Sequence, residues 1–460
     1  MVEKDLAAKA IDEALKRGGD FAEIYAERRQ SVSLSLEDSR LERSSTGLDA
    51  GASIRVIMGR NLSFVSTDSL EEESILQAAR LAGEGLANGG ARPQQLSLIG
   101  ISSPHTIEIP PDSVPTPEKA SLLRSADEAA RATGTEIVQA SISYGDDVSE
   151  VMVANSEGAL ATEERTRVRI IARVVGARNG IMQTGYESVG AHKGMEILGD
   201  KTAAAAGRAA GEKALAMLDS RPSPSGKMTV VMHRGFGGVL FHEACGHGLE
   251  ADTVEKNTSV FGGRMGEQVA AGMVTLVDDG SIPGEWGSNA FDDEGTPTQR
   301  TVLIEEGRLA GLMYDGLRAR NAGVKSTGNG RRQSFRHVPI PRMTNTFILD
   351  GAHTRDEIIA ATELGFYAKT LSGGQVETAS GDFVFGVSEG YLIEKGRITS
   401  PLRGATLIGN GLTALMNIDM IADDFEMNIG LCGKDGQSVP AGSGQSTLRI
   451  QNMTIGGTEV

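Results

Sequence analysis

The sequence predicts an α+β protein in which N-terminal repeated helix–sheet–helix units are followed by a mainly antiparallel β C-terminal domain. The 460 residues are enough for two or three domains. Helical and strand-like patterns alternate twice before residue 220, and strand patterns dominate after it. A proline-containing segment, Arg221-Pro-Ser-Pro-Ser-Gly226, interrupts all periodicity between the two halves. We therefore expect units over 1–110 and 111–220 and a C-terminal domain over 227–460.

The first unit begins with an amphipathic helix over 3–17. Four short strand-like runs follow, at 21–28, 31–36, 52–58 and 62–67. Gly59-Arg60-Asn61 lies between the last two runs and is typical of a hairpin turn. A second helix is predicted from 68 to about 87, since carboxylates in its first turn suit the helix dipole.

The second unit follows a polar, proline-containing connector over 89–115 and repeats this order. The sequence predicts a helix over 116–133, strands at 137–144, 148–154, 167–175 and 181–186, and a helix over 201–217. The segment RVVGARNG at 173–180 resembles RVIMGRN at 55–61. These similarities predict two related units.

The C-terminal domain is predicted to start with a strand over 228–232 and a glycine-rich entry to a helix. Further helices are expected near 315–322 and 354–362. Most of the remaining chain from 270 onward is predicted to be antiparallel strands and turns.

The composition indicates a cytoplasmic protein. The net charge of -16 and the pI of about 5.0 argue against a nucleic-acid or anionic-membrane surface. Two cysteines do not form a disulfide framework, which favours a reducing compartment. The N-terminal helix lacks the apolar core of a signal peptide, and no run approaches the roughly 18 apolar residues of a membrane span.

The motif His242-Glu243-x-x-x-His247 carries the chemistry. Three of the seven histidines fall within fifteen residues, 233–247. Two neutral imidazoles are good zinc ligands, and a glutamate beside the first can take a proton from a zinc-bound water. The motif therefore predicts a Zn²⁺ site with His242 and His247 as ligands and Glu243 as general base.

The spacing of the two histidines predicts an irregular helix. Side chains five positions apart on a regular α-helix diverge by about 140°, so they cannot hold one ion. Gly246 permits a bulge or a break between them. We expect an irregular turn immediately before His247.

A catalytic zinc site usually has three protein ligands and an open position. The sequence leaves the third ligand open among five candidates, which are Cys432, Glu250, His233, His337 and His353. Cys432 lies in a glycine-flanked segment, and its thiolate is a strong soft ligand. Cys245 is instead predicted to be a core residue, since it points away from the ligand face.

An oxyanion-stabilising donor is a further expectation. Candidates are His337, Arg331, Arg332 and Tyr391. The basic run at 331–337 also fits a solvated loop that pairs with nearby carboxylates, and this second interpretation is slightly favoured. A closed structural zinc site is disfavoured because the chain has no C-x-x-C pair. An amidase acting on non-peptide bonds remains an alternative.

Three segments, HEACGHGLEAD (242–252), RMTNTFI (342–348) and IGLCGKDGQ (429–437), resemble the TldD/PmbA family, also called "modulator of DNA gyrase". The likeness extends over nearly the whole chain and is greatest to the TldD-like branch. It implies zinc metalloproteases that cleave small or unfolded peptides, with His242, His247 and Cys432 as ligands and Glu243 as base. It also implies a homodimer or a heterodimer with a TldE/PmbA-like paralogue. The alternative function is a non-catalytic peptide-binding or modulator scaffold of toxin–antitoxin or gyrase systems.

Overall fold

The structure is a computed structural model that describes residues 1–86, 94–98, 101 and 103–458. The predicted end of the second helix at 87 and parts of the connector over 89–115 lie outside these residues. In the described part the fold is mixed, and strands dominate over helices.

In its described residues, the N-terminal half is a seven-stranded sheet with four helices. The helices are α1 (Lys4–Leu15), α2 (Glu72–Glu84), α3 (Thr116–Arg131) and α4 (Asp200–Leu218). The strands are β1 (Phe21–Glu37), β2 (Arg40–Met58), β3 (Asn61–Thr67), β4 (Ser97–Leu98), β5 (Ile137–Asn155), β6 (Ala159–Arg178) and β7 (Ile181–Ala191). The strand order is β3-β2-β1-β5-β6, and both β4 and β7 pair with the far edge of β6.

Both predicted units contribute to this one sheet, because β1 pairs antiparallel with β5 over fifteen positions, from Glu23–Asn155 to Glu37–Ser141. Each unit has the order helix, three long strands, helix, whereas their origin as a repeat and the proposed domain limits stay predictions. The predicted short strands at 21–28 and 31–36 are wrong in one respect, since they form the single strand β1. The predicted strands at 137–144 and 148–154 likewise form the single strand β5. No proline interrupts either run, so the residues between the predicted strands extend them.

The helices pack in pairs against the sheet. Residues of α1 and α2 form one core with β1, β2 and β5, and residues of α3 and α4 form a second core with β5 and β6. The second pair packs closely, since a Cβ on Gly207 of α4 would collide with the carbonyl oxygen of Ala126 on α3.

The C-terminal half contains five short helices and sixteen strands. The helices are α5 (Gly238–Phe241), α6 (Ala251–Glu255), α7 (Gly316–Ala322), α8 (Arg355–Ala360) and α9 (Gly411–Met416). The strands are β8 (Arg221–Pro222), β9 (Gly226–Met232), β10 (Leu276–Asp279), β11 (Arg300–Glu305), β12 (Arg308–Leu309), β13 (Gly330–Arg331), β14 (Ile340–Pro341), β15 (Asn345–Ile348), β16 (Leu364–Glu377), β17 (Asp382–Glu394), β18 (Arg397–Arg403), β19 (Thr406–Asn410), β20 (Ile418–Ile421), β21 (Glu426–Lys434), β22 (Gln437–Gln445) and β23 (Leu448–Gly456).

These strands form two large sheets and one small one. A six-stranded sheet has the order β12-β11-β10-β15-β22-β21, and β13 pairs with β14. An eight-stranded sheet has the order β16-β9-β23-β19-β17-β18-β8, with β20 beside β23. Pairing is antiparallel except for β15–β22, β16–β9 and β18–β8, which confirms the predicted antiparallel character. One apolar core joins the two large sheets.

The solvated loop that the sequence favoured for the basic run at 331–337 is wrong for its first part only. Arg331 is 3% exposed and Arg332 is 4% exposed. Arg332 forms a 2.6 Å ion pair with Glu23 of β1, so this end of the run packs between the two halves of the protein. A buried charge persists only with such a partner, and this partner is remote in the sequence. Arg336, in contrast, is exposed and pairs with Asp49 and Asp68, as the prediction has it.

Within the described ranges, no helix is both long and apolar enough to cross a bilayer.

Candidate metal centre

Strand β9 leads into the helical segment that carries both motif histidines. After α5, residues His242–Gly246 form one π-helical turn, and His247–Leu249 form a short 3₁₀ turn. The amide N–H of His247 donates to the carbonyl oxygen of His242, an i→i+5 hydrogen bond. This widened turn places residues five positions apart above one another. The predicted irregular turn before His247 is confirmed.

Glycines allow this segment to lie close to its neighbours. A Cβ on Gly246 would collide with the sulfur of Met343. A Cβ on Gly238, at the start of α5, would lie 2.7 Å from the amide nitrogen of Gly444 on β22. The absence of side chains at these two positions lets the helix approach the six-stranded sheet.

Cys432 approaches the histidines from the β21–β22 hairpin, where it lies opposite Val439. Its Sγ lies 3.2 Å from Nε2 of His242 and 3.5 Å from Nε2 of His247. The three ligand atoms lie within 4.8 Å of one another, and all three residues are buried. Tetrahedral zinc bonds of ordinary length place neighbouring nitrogen and sulfur ligands about 3.6 Å apart. The donor set and its spacing therefore fit a zinc ion.

The other candidate ligands have different partners. Nδ1 of His233 lies 2.8 Å from the hydroxyl of Tyr367, and Nδ1 of His337 lies 2.9 Å from the hydroxyl of Ser334. His353 pairs through its backbone with Ala422. Among the described residues, only His242, His247 and Cys432 form a group that could hold a metal ion.

Glu243 lies beside this group and is partly exposed. Its Oε2 is 3.7 Å from Nε2 of His247, and its side chain is 37% exposed. The ligands beside it are almost inaccessible, so the Glu243 carboxylate is the acidic group that meets solvent at the site. This is the position that a general base for water needs.

The electrostatics of the group favour a thiolate. Burial alone would raise the pKa of the Cys432 thiol, but the charge of His242 and hydrogen bonds to both histidines hold it well below its usual range. Burial lowers the pKa of His247, and the opposing effects of Glu250 and Cys432 raise it well above its usual value. A thiolate is the form that binds a soft metal ion.

Glu250 supports the site although it is not among the clustered ligands. Its Oε2 lies 2.9 Å from Nδ1 of His247, the ring nitrogen remote from Cys432. Lys434, two residues after Cys432, lies 2.9 Å from Glu250 and 2.6 Å from Asp252. Burial would raise the pKa of Glu250, but His247 and Lys434 lower it to about 2. This network connects the helical segment to the hairpin.

The remaining expectations have separate outcomes. Cys245 is fully buried within the apolar core, as predicted, and burial raises the pKa of its thiol. Tyr391 donates to Glu389, and Arg331 donates to the carbonyl of Met343. No described contact connects either of them, or Arg332 and His337, to the ligand atoms, so their role as oxyanion donors stays a prediction.

Comparison with known families accounts for most of the chain. Residues 22–85, 109–218 and 225–457 match domain 1, the central domain and the C-terminal domain of the PmbA/TldA metallopeptidases. The chain belongs to the PmbA/TldD metallopeptidase family. A metalloprotease TldD homolog of Haemophilus influenzae is 40% identical, over 96% of this chain and 94% of that protein. A metalloprotease of Methanothermobacter thermautotrophicus is 35% identical, over 95% of this chain and 96% of that protein.

Solved structures of similar fold extend the comparison. A Thermotoga maritima protein described as a candidate modulator of a DNA gyrase has a TM-score of 0.81 at 22% identity. That match covers 98% of this chain and 100% of the other. TldE from Thermococcus kodakarensis has a TM-score of 0.77 at 20% identity, over 98% of this chain and 99% of the other. At such identities the likeness concerns the fold alone.

Proposed function

We propose that this member of the PmbA/TldD family is a zinc-dependent peptidase that hydrolyses small or unfolded peptides. The observation that carries the proposal is the convergence of His242, His247 and Cys432 within 4.8 Å, with the partly exposed Glu243 carboxylate beside them. The three ligands leave a fourth tetrahedral position free, which is the arrangement of catalytic rather than structural zinc sites. The names of the relatives support a metalloprotease, and the donor set favours zinc.

The proposed reaction is direct hydrolysis without a covalent enzyme intermediate. Bound zinc supplies Lewis-acid polarisation of the scissile carbonyl and lowers the pKa of water toward about 7. Glu243 takes the proton of the attacking water and later delivers a proton to the leaving amine. Glu250 fixes the orientation of the His247 ring through Nδ1.

Broad substrate tolerance follows if an extended peptide adds to a free strand edge, because such binding depends on the backbone. In the described residues, β3 pairs with β2 only from Ala52 onward, so the outer edge of the earlier part of β2 has no strand partner. This edge is one place where a peptide could add. Most extended segments of a folded protein are already paired or packed, so we expect an unfolded protein to be cleaved faster than its folded form.

We also propose a cytoplasmic dimer, either a homodimer or a heterodimer with a TldE/PmbA-like paralogue. The two unpaired, buried cysteines favour a reducing compartment such as the cytoplasm. The similar fold of a solved TldE supports a paralogue of that kind as the partner. Size measurement of the chain alone and after mixing with such a paralogue distinguishes the two forms.

Hydrolysis of a generic unfolded peptide by the zinc-loaded protein and its Glu243→Gln variant tests the proposal. We expect the variant to lose about 10²- to 10⁴-fold in kcat while it keeps its zinc, since the general base is lost and the ligands remain. The matched control is Glu267→Gln, which alters an exposed carboxylate bound to Arg264. If wild type and Glu243→Gln behave alike and neither cleaves, the scaffold alternative is correct.

Metal analysis of Cys432→Ser gives a second test of the same site. We expect this variant to lose bound zinc, because a hydroxyl replaces the thiolate ligand. If Cys432→Ser keeps stoichiometric zinc and full activity, Cys432 is not a zinc ligand.

A further inference from the structure

A cleft lies between the N-terminal sheet and the β21–β22 hairpin that carries Cys432. It consists of two adjoining cavities of about 50 Å³ and about 370 Å³. Both cavities are bordered by Arg29, Asp147, Arg332, Gln333 and Pro440, so they lie next to each other in the cleft. Leu431, at the wall of the larger cavity, is 56% exposed, and the cleft therefore reaches the surface.

The walls of the smaller cavity carry more basic than acidic side chains, although the protein has a net charge of -16. They include five guanidinium groups, on Arg29, Arg165, Arg167, Arg331 and Arg332. Three carboxylates also border it, on Glu27, Asp147 and Asp293. Two further carboxylates pair with wall arginines, Glu163 with Arg165 and Glu23 with Arg332, so the net positive charge rests on the guanidinium groups that have no such partner.

Two of these guanidinium groups have no carboxylate partner in the described part of the chain. Arg331 donates a single hydrogen bond, to the carbonyl of Met343, although its side chain is buried and borders the cavity. Arg167 donates to the carbonyls of Trp286 and Ser288 and to the amide oxygen of Asn289. Burial of such groups without a counter-charge is costly, so an anion in the cavity would stabilise both.

The pKa values of these two groups agree with the excess of positive charge. Burial lowers the pKa of Arg331 to about 10, although Asp293 opposes the effect and Arg342 adds to it. Burial lowers the pKa of Arg167 to about 9, with an opposing contribution from Asp147 and a further lowering by Arg331.

The smaller cavity and the metal centre share the β21–β22 hairpin. Val439 and Pro440 form part of the cavity wall, and Val439 is paired with Cys432 across the hairpin. Paired residues of antiparallel strands have Cα atoms about 4.5 to 5.5 Å apart. Arg331 also donates a hydrogen bond to the carbonyl of Met343. The sulfur of Met343 lies next to Gly246, which precedes His247 at the end of the π-helical turn.

We propose that the cleft binds the C-terminal carboxylate of a short peptide, with Arg331 as the principal ligand. The proposal deepens, and rests on, the proposed peptidase function. A planar carboxylate matches the two-pronged donor geometry of a guanidinium. The smaller cavity has room for a group of that size, and the larger cavity accommodates the adjoining side chain against Tyr144, Trp286 and Leu431. The substrates are thus short peptides with a free C-terminus.

One unfolded peptide prepared as the free acid and as the C-terminal amide tests the proposal on the zinc-loaded wild-type protein. We expect KM for the acid to be at least about tenfold lower, because the amide lacks the charge that Arg331 binds. Arg331→Met should remove this difference. Arg336→Ala is the matched control, since Arg336 belongs to the same segment but is exposed and binds Asp49. Equal KM values for acid and amide in the wild type, or a difference that persists in Arg331→Met, would overturn the proposal.

Direct binding to the zinc-loaded wild type and Glu243→Gln proteins separates this proposal from the peptidase function. Tighter binding of the acid than of the amide supports the carboxylate site even if neither peptide is cleaved. Cleavage of both peptides without a difference in binding contradicts only the carboxylate site.

Because Arg331→Met could fold poorly, Glu27→Gln serves as a second variant. At pH 8, where the carboxyl of Glu27 is ionised, it removes a negative charge from the cavity wall and should tighten binding of the acid, and unchanged or weaker binding at that pH contradicts the proposal. Acetate that competes as well as the peptide acid would indicate a simple anion site and overturn the assignment to a peptide terminus.

Discussion

A hydrogen bond to one of the ligand histidines supports the metal centre. Glu250 binds the outer nitrogen of the His247 ring, and Lys434 connects Glu250 to the hairpin that bears Cys432. A carboxylate at this position fixes the tautomer and the orientation of a histidine ligand. The site therefore depends on residues that do not contact the metal themselves.

Replacing Glu250 with Gln should lower zinc affinity by about 10- to 100-fold, since the buried negative charge behind His247 is lost. Competition with a chelator measures the affinity directly, without reference to activity. Glu255→Gln is the matched control, because Glu255 lies on the adjoining helix α6 and is partly exposed. An unchanged dissociation constant for zinc in Glu250→Gln would mean that the negative charge of Glu250 does not contribute to zinc binding.

The carboxyl group of Glu27 makes the stability of the protein depend on pH. Burial raises its pKa to about 7, although Arg29 opposes the effect. In the unfolded chain a glutamate titrates near pH 4.3, so the native state binds more protons between about pH 4.3 and 7. The contribution of Glu27 to stability therefore falls as pH rises through this window, and the penalty is complete above about pH 7.

Glu27→Gln should consequently increase the free energy of unfolding at pH 8, by up to about 3 kcal/mol, and change it little near pH 4.5. Urea unfolding at the two pH values measures the difference. The control is Glu164→Gln, an exposed glutamate on the same sheet. An equal gain at both pH values would exclude the charge of Glu27 as the cause.

At the scale of elements, the π-helical turn decides whether both histidines reach one ion. Gly246→Ala adds a methyl group that collides with the sulfur of Met343. Overpacking of this kind typically costs about 1 to 3 kcal/mol, and movement of the turn would separate the imidazoles. We expect zinc affinity to fall at least about tenfold in a chelator competition. Gly433→Ala is the matched control, because a Cβ there, next to Cys432, meets no atom within 4 Å. Wild-type affinity in Gly246→Ala would show that the turn tolerates displacement.

The sequence predicted those parts of the structure that depend on local rules. The five-residue spacing and Gly246 predicted the irregular turn, because helix geometry is local. Residue patterns alone left the third ligand open among five residues, and only the family resemblance implied Cys432. This cysteine reaches His242 through the pairing of β15, β22 and β21, 190 positions along the chain. The buried position of Arg332 was missed for the same reason, as its partner Glu23 is 309 positions away.

On the scale of the whole molecule, buried ion pairs join the two halves. Glu23 of β1 binds Arg55 of β2 at 2.5 Å and Arg332 of the C-terminal half at 2.6 Å. Arg55 also binds Glu294, and Arg165 of β6 binds Asp293. These groups are nearly inaccessible, so separating the halves would expose or strand charges on both sides. We therefore expect the halves to unfold together.

Glu23→Gln tests this coupling. The variant leaves Arg332 without its carboxylate partner in a buried site, and such a loss typically costs about 3 to 5 kcal/mol.

Trp286, the single tryptophan, lies at the interface, where its carbonyl accepts from Arg167. Its fluorescence reports the C-terminal half, and circular dichroism reports both halves. We expect both probes to show one transition at lower urea than in the wild type, with no shift in the exposed control Glu73→Gln. Two separate transitions in the wild type would show that these ion pairs do not couple the halves. An unshifted midpoint in Glu23→Gln would show instead that the buried pair contributes no net stability, because the desolvation of its charges offsets their attraction.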